Sequence, residues 1–400
     1  MHPFLPTVLF LTAAASAQAV LPPFNTTWQI VNLGQIPGVT SYGGTAIAAA
    51  NPNTLLVSPW PSTSIDAVPL IRNGAGAIVG TGTATPVITV GGTDGGLAFG
   101  PGGVLFSTWF GSNNLNQTKP GSIATDRVDA LFPLGLGASV GTCTFVPAGM
   151  PGAGRLKLCS WTPAFFHDVP LTPDGNGTYA PGTFGPAITL ANDVEGMVYA
   201  PPGTPSFGGQ LLVCEWSAGN IVAYQIDANG DPLPSTRQEI VGGALYPGGG
   251  TRDPITGDFV FLGANGTLLI LRQGATPCGT FTNYGPASPG ALGTPTIAGT
   301  GCPRLGQTIG IQLGGHTNAL GLLAAGTYPL SLPWENLTVL QPLEITLVVF
   351  LGPTGTTSMP ITIPTVPQLG WSHLYLQLAV LDPSTSSGLS ASNGLDLQIR

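Results

Sequence analysis

Leu55–Trp60 reads LLVSPW, and the same pattern returns as Val104–Trp109 (VLFSTW), Leu156–Trp161 (LKLCSW), Leu211–Trp216 (LLVCEW) and Phe259–Ala264 (FVFLGA). Each copy runs apolar, any residue, apolar, small, any residue, Trp; the last has Leu in the small place and Ala in the Trp place. The sixth positions are 49, 52, 55 and 48 residues apart. Short apolar runs of this kind read as buried strands. A strand recurring about every 50 residues marks a propeller blade, because a four-stranded sheet takes about 40–50 residues.

Two further landmarks keep the same phase. A short strand and a Pro/Gly or Asn-Pro turn precede each hexamer, as at Ala46–Ala50 with Asn51-Pro52 and Gly96–Phe99 with Pro101-Gly102. Thirteen residues after three of the Trp positions stand Asn73-Gly74, Asp174-Gly175 and Asn229-Gly230. Asn-Gly and Asp-Gly are the strongest two-residue hairpin signals, since both central residues need positive φ. The array also has matching loose ends. The fifth copy is followed by only one strand, Thr267–Arg272, while Trp28–Leu33 precedes the first copy without a blade of its own. Pairing the two would close the ring and remove its exposed edges. The sequence therefore predicts an all-β protein with a five-bladed propeller over residues 24–275, six blades being the alternative count. Residues 276–303 read as a Gly/Pro-rich linker. Residues 304–400 lose the repeat and read as a β-sandwich domain.

Composition removes other classes. Of 400 residues only 28 are charged, 7% against roughly 25% in ordinary soluble domains. A net charge of −8 denies the basic footprint of a nucleic-acid binder. With 59 Gly and 40 Pro, helical bundles are excluded, and 43% hydrophobic residues argue against disorder. Residues 1–17 hold an apolar core and end Ala15-Ser16-Ala17, which reads as a secretory signal peptide. No later stretch reads as a membrane span, because prolines 353, 360, 364 and 367 interrupt the longest uncharged segment. Five cysteines fit an exported chain. Cys143 and Cys159 stand equally far from a turn near Pro151-Gly152, which predicts facing positions and a disulfide. Cys278 and Cys302 bracket the linker and are placed to close it, leaving Cys214 buried and inert. Nothing in their spacing reads as a zinc site.

Candidate functional residues follow from the blade phase. Asp94, Asp193 and Glu195 immediately precede innermost strands, so propeller topology puts them on one face at the channel mouth. Carboxylates gathered there without Lys or Arg would repel unless protonated or bound to a cation, calcium being the cation considered. The competing reading is three solvated loop acids. Trp60, Trp109, Trp161 and Trp216 end second strands that run back to the same face. They read either as a ring that stacks on sugars or as wedges between blades. Asp227-Ala228-Asn229-Gly230-Asp231 has the spacing of a calcium loop, yet Pro232 stands where that loop needs Gly, and a turn is the preferred reading. There is no nucleophile elbow.

The chain resembles exported bacterial proteins, frequent in planctomycetes, in which a propeller precedes a sandwich. The residues that carry this are Cys278-Gly279, Tyr284-Gly285, Gly301-Cys302-Pro303 and Ser392-Asn393-Gly394. Its propeller resembles the NHL and SMP-30/gluconolactonase-like class through Asp94–Phe99, Glu195–Tyr199 and Asp253–Asp258. That class implies a Glu, Asn and Asp set around the central tunnel in its calcium-dependent lactonases, and Glu195 matches its Glu. Two functions are therefore expected. The first is an exported, non-catalytic binding or scaffold protein whose partner is an extracellular or envelope protein or glycan. The second is a calcium-dependent lactonase- or hydrolase-like enzyme.

Overall fold

Each copy of the hexamer becomes the second strand of an antiparallel sheet, five-stranded in blades 1 and 4 and four-stranded in the others, in the computed structural model, which describes residues 18–48 and 51–400. Residues 1–17, the expected signal peptide, lie outside the described residues. Blade 1 comprises Gly43–Ile47, Thr54–Pro59 and Ser64–Arg72, whose outer edge pairs both Ile78–Thr81 and Thr85–Thr89. Blade 2 comprises Leu97–Phe99, Leu105–Trp109, Asn114–Thr118 and Arg127–Ala130. Blade 3 is built from Val140–Phe145, Leu156–Ser160, Phe165–Val169 and Ile188–Thr189, and blade 4 from Val194–Ala200, Gln210–Glu215, Asn220–Gln225 and Gln238–Gly242, with Ala19–Val20 added at its outer edge. In blade 5, Gly248–Arg252, Phe259–Gly263 and Thr267–Gln273 are completed by Trp28–Gln35 from the start of the chain. The innermost strands touch in ring order, blade 5 against blade 1, so the count is five and the six-bladed alternative fails. The closing register sets Trp28 opposite Gln273 and Ile30 opposite Leu271.

Apolar residues on both faces of each hexamer now have a reason. Successive side chains on a strand point to opposite sides, and every blade is covered on both. Leu211 and Val213 pack toward blade 3, whereas Leu212 and Cys214 pack toward blade 5. Five such cores fill the slots between the five blades. Charges also tie blades together: Arg72 to Asp253 (2.7 Å), Arg127 to Asp174 (3.1 Å) and the fully buried Lys157 to Asp231. At the axis the backbones approach too closely for side chains. A Cβ at Gly196 would collide with the Gly249 carbonyl oxygen of blade 5, and one at Gly95 with the Glu195 carbonyl oxygen two blades away. Backbone therefore closes the channel at this level.

The same two-sided packing overturns the Cys143–Cys159 disulfide: both thiols are free and buried. The strand register sets Thr142 opposite Cys159 and Cys143 opposite Leu158, one residue off the symmetric expectation. The two sulfurs thus leave opposite faces of blade 3, Cys143 toward blade 2 and Cys159 toward blade 4. The hairpins after the hexamers are also longer than two residues. Asn73, Asp174 and Asp227 each accept backbone N–H groups from two and four residues ahead, closing wider loops.

Thr276–Arg400 forms a second all-β unit. One sheet runs Thr280–Tyr284, Gly394–Gln398, His373–Leu381, Leu320–Gly326, Ile345–Phe350, and a second runs Thr296–Thr300, Thr308–Gly314, Thr356–Thr362. The expected linker holds two strands, which are the first strand of each sheet. Cys278 and Cys302 are disulfide-bonded, as the spacing predicts. No helix among the described residues is long and apolar enough to cross a membrane.

Candidate functional site

Inner strands begin, and second strands end, on one face of the propeller, called the front face below. Asp94 ends the segment that leads into blade 2, and Glu195 is the second residue of the inner strand of blade 4. Their side chains meet over the axis, where the close approach of Gly95 to the Glu195 backbone has brought the two blades together. Both residues are buried, 1% and 2% exposed, and both Asp94 carboxyl oxygens and Glu195 Oε2 lie without a hydrogen-bond partner among the described residues. Two carboxyl groups buried side by side without a cation cannot both stay ionised, so at least one holds a proton. Burial pushes both well above the ordinary carboxyl range, and the Asp94 charge pushes Glu195 further. Neither has an ion-pair partner among the described residues.

This arrangement carries a sign. A carboxyl group whose pKa is raised on folding binds its proton more tightly in the folded state. Its favourable contribution is greatest below the unfolded pKa and is lost as pH rises toward the folded value. Glu195→Gln should therefore raise the melting temperature at pH 8 and flatten the fall in stability between pH 4 and 8. Melts across that range check it, and a lower melting temperature at pH 8 contradicts the raised carboxyl pKa.

Asp193 does not join the pair. Its carboxylate accepts the Ser217 backbone N–H at 3.2 Å and the Ser217 hydroxyl, and so fixes the turn after Trp216. The expected set of three acids reduces to two. Among the described residues no group of three or more His, Cys, Asp or Glu side chains converges to hold a metal ion. The residues here do not fit calcium as a carboxylate cluster would. The Asp227 loop is a turn as well, with Asp231 engaged by Lys157.

Three aromatic residues not anticipated as a group, Tyr42, Phe110 and Tyr246, extend the tryptophans into a row. Tyr42 stacks on Trp60 (ring centroids 5.9 Å, 18° between planes) and tilts against Trp216 at 5.3 Å. Trp216 stacks on Tyr246 at 4.4 Å and meets Trp161 edge-on at 6.0 Å, and Trp161 meets Phe110 at 5.7 Å. Trp60 and Tyr246 are 36% and 40% exposed. Trp109 stands apart, its indole laid on Gly91-Gly92 where a Cβ would strike the ring. Thus the structure joins Trp60, Trp161 and Trp216 and gives Trp109 a packing place of its own. The signal for Tyr42 and Tyr246 was positional. Each stands two residues before the glycine that faces the fourth hexamer residue, Gly44 opposite Ser58 and Gly248 opposite Leu262.

Tyr42 links the row to the acids. Burial, Glu195 and Asp94 hold its phenol far above the ordinary value, so it stays a protonated donor at any physiological pH. The Nε1–H groups of Trp161 and Trp216 are buried without an acceptor. The front face therefore combines ring faces, unsatisfied N–H donors and a carboxyl pair carrying a proton.

No protein-family profile matches the chain, and no curated protein does. Among solved structures it is similar to a gluconolactonase from Xanthomonas campestris, at 12% identity and TM-score 0.39, covering 67% of this chain and 99% of that one. It is also similar to an auxiliary nutrient binding protein from Bacteroides ovatus, at 9% identity and TM-score 0.36, covering 64% of this chain and 76% of that one. A third similarity is to YCF48 from Cyanidioschyzon merolae, at 9% identity and TM-score 0.31, covering 55% of this chain and 64% of that one. Identities and TM-scores this low decide neither activity nor ligand, and the fold assignment rests on the strand pairing above.

Proposed function

We propose that the chain is an exported, non-catalytic binding protein whose propeller takes a neutral carbohydrate of an extracellular or envelope glycan on its front face. The observation that carries this reading is the aromatic row of Trp60, Tyr42, Trp216 and Trp161 beside the buried Asp94–Glu195 pair. Sugars present apolar C–H faces that stack on rings, and hydroxyls that both donate and accept. The row supplies the first surface, and the carboxyl pair, Tyr42 and the two indole N–H groups supply the second. The Asp94–Glu195 pair has no ion-pair partner among the described residues, which argues against an anionic ligand. The calcium-dependent alternative lacks a third carboxylate, since Asp193 is engaged by Ser217. The second unit, read as a β-sandwich, would serve attachment or partner contact.

Titration of tryptophan fluorescence with neutral oligosaccharides, such as cello-, xylo- and chitohexaose, tests the proposal. Trp60→Ala and Trp216→Ala should each weaken binding roughly tenfold, the worth of one lost ring contact. Trp109→Ala should lower stability and leave the affinity of the folded fraction unchanged. Equal affinity in all three variants, or no binding by the native chain, would overturn it.

A further inference from the structure

The back face, opposite the acids, carries a second site of different chemistry. Beyond the glycine-closed level the inner strands end around a cavity of about 300 Å³ reached by all five blades. Ile47, Phe99, Phe145 and Val198 give it apolar walls. A neighbouring cavity of about 240 Å³ opens between blades 4 and 5, bordered by Trp28, Pro205, Gly257 and Gln273. Arg252 and Pro201 line both and form the ridge between them.

Arg252 is the exception in the charge pattern. Among the described residues of the propeller, every other Lys or Arg has a carboxylate partner. The nearby acids are committed elsewhere: Asp253 takes Arg72 through both oxygens at 2.7 and 2.9 Å, and Asp258 takes Arg272 at 2.7 Å. Arg252 is exposed. Gly257 leaves room for its guanidinium, since a Cβ there would come within 2.8 Å of Nη2. In a chain with ten Lys and Arg residues, an unpaired arginine fork thus stands at the rim of a cavity walled largely by apolar side chains, with Thr144 and Thr251 among them.

We infer that this back-face site binds an aliphatic monocarboxylate, its chain in the central cavity and its carboxylate on Arg252. The fork matches a carboxylate through two parallel hydrogen bonds. One cation suits one negative charge, whereas a phosphate ester would call for more. Apolar walls with a single placed charge are the usual make-up of a small-molecule pocket. The site is independent of the carbohydrate reading, because backbone at the glycine level separates the two faces.

Calorimetric titration of the full chain with octanoate, octanamide and inorganic phosphate tests the inference. Octanoate should bind, with octanamide at least tenfold weaker and phosphate weaker still. Arg252→Gln, an exposed position, should weaken octanoate about tenfold or more, the worth of a charge-assisted pair, and leave octanamide unchanged. Ala98→Phe, which fills the central cavity, should weaken acid and amide alike. No octanoate binding, equal binding by Arg252→Gln, an amide as tight as the acid, or phosphate as tight as octanoate would each overturn it.

Discussion

Deleting Trp28–Gln35 will leave a chain that aggregates and no longer unfolds in one cooperative transition. That strand is the outer strand of blade 5, paired with Thr267–Gln273, and it joins the two ends of the ring. Without it the blade exposes a row of unpaired N–H and C=O groups, a template for pairing with other chains. The loss also reaches the core, because Trp28 is 2% exposed and packs on Phe207 at 4.7 Å and Phe259 at 6.0 Å. Trp28→Ala alone should remove about 3–5 kcal/mol. Urea melts with size-exclusion chromatography give the readout. A monomeric deletion variant with an unchanged melt would show that the ring is not closed by this strand.

Gly196→Ala should be nearly as severe, although it adds one methyl group. Overpacking a core costs typically about 1–3 kcal/mol because side chains can rotate away. Here the obstacle is the Gly249 main-chain carbonyl oxygen of the next blade, which cannot. A loss of about 3 kcal/mol or more is expected, at the upper end of that range. Gly74→Ala, which adds a Cβ in open space, should stay within about 0.5 kcal/mol of the native chain. Similar melts for both variants would mean that the inner strands stand further apart than described.

The propeller was legible because its constraint repeats. Every blade needs an apolar second strand facing two slots, so the hexamer recurs, and the unmatched ends at Trp28–Leu33 and Thr267–Arg272 announce closure. Features that hang on single-residue register were harder to read. The Cys143–Cys159 pairing failed because a one-residue shift in a hairpin moves a side chain to the other face. The stretch from 276 to 303 looked like a linker because its many Gly and Pro residues mask two strands whose partners lie far along the chain. The nearness of Asp94 and Glu195 was legible from topology alone. Asp193, two residues from Glu195, was assigned with them because the sequence does not show that Ser217 takes its oxygens. Tyr42 and Tyr246 escaped because their shared place, two residues before the glycine facing the fourth hexamer residue, shows only once the register is known.

The central claim is that a neutral sugar sits on the front face, over the aromatic row and beside the acid pair. The most direct measurement is a crystal structure of the full chain soaked with the oligosaccharide that binds tightest in solution. A sugar ring stacked on Tyr42, Trp60 or Trp216, with a hydroxyl in hydrogen-bonding reach of the Asp94–Glu195 pair, is the predicted result. A front face that stays bare at saturating sugar, or a sugar bound elsewhere on the chain, would contradict the account.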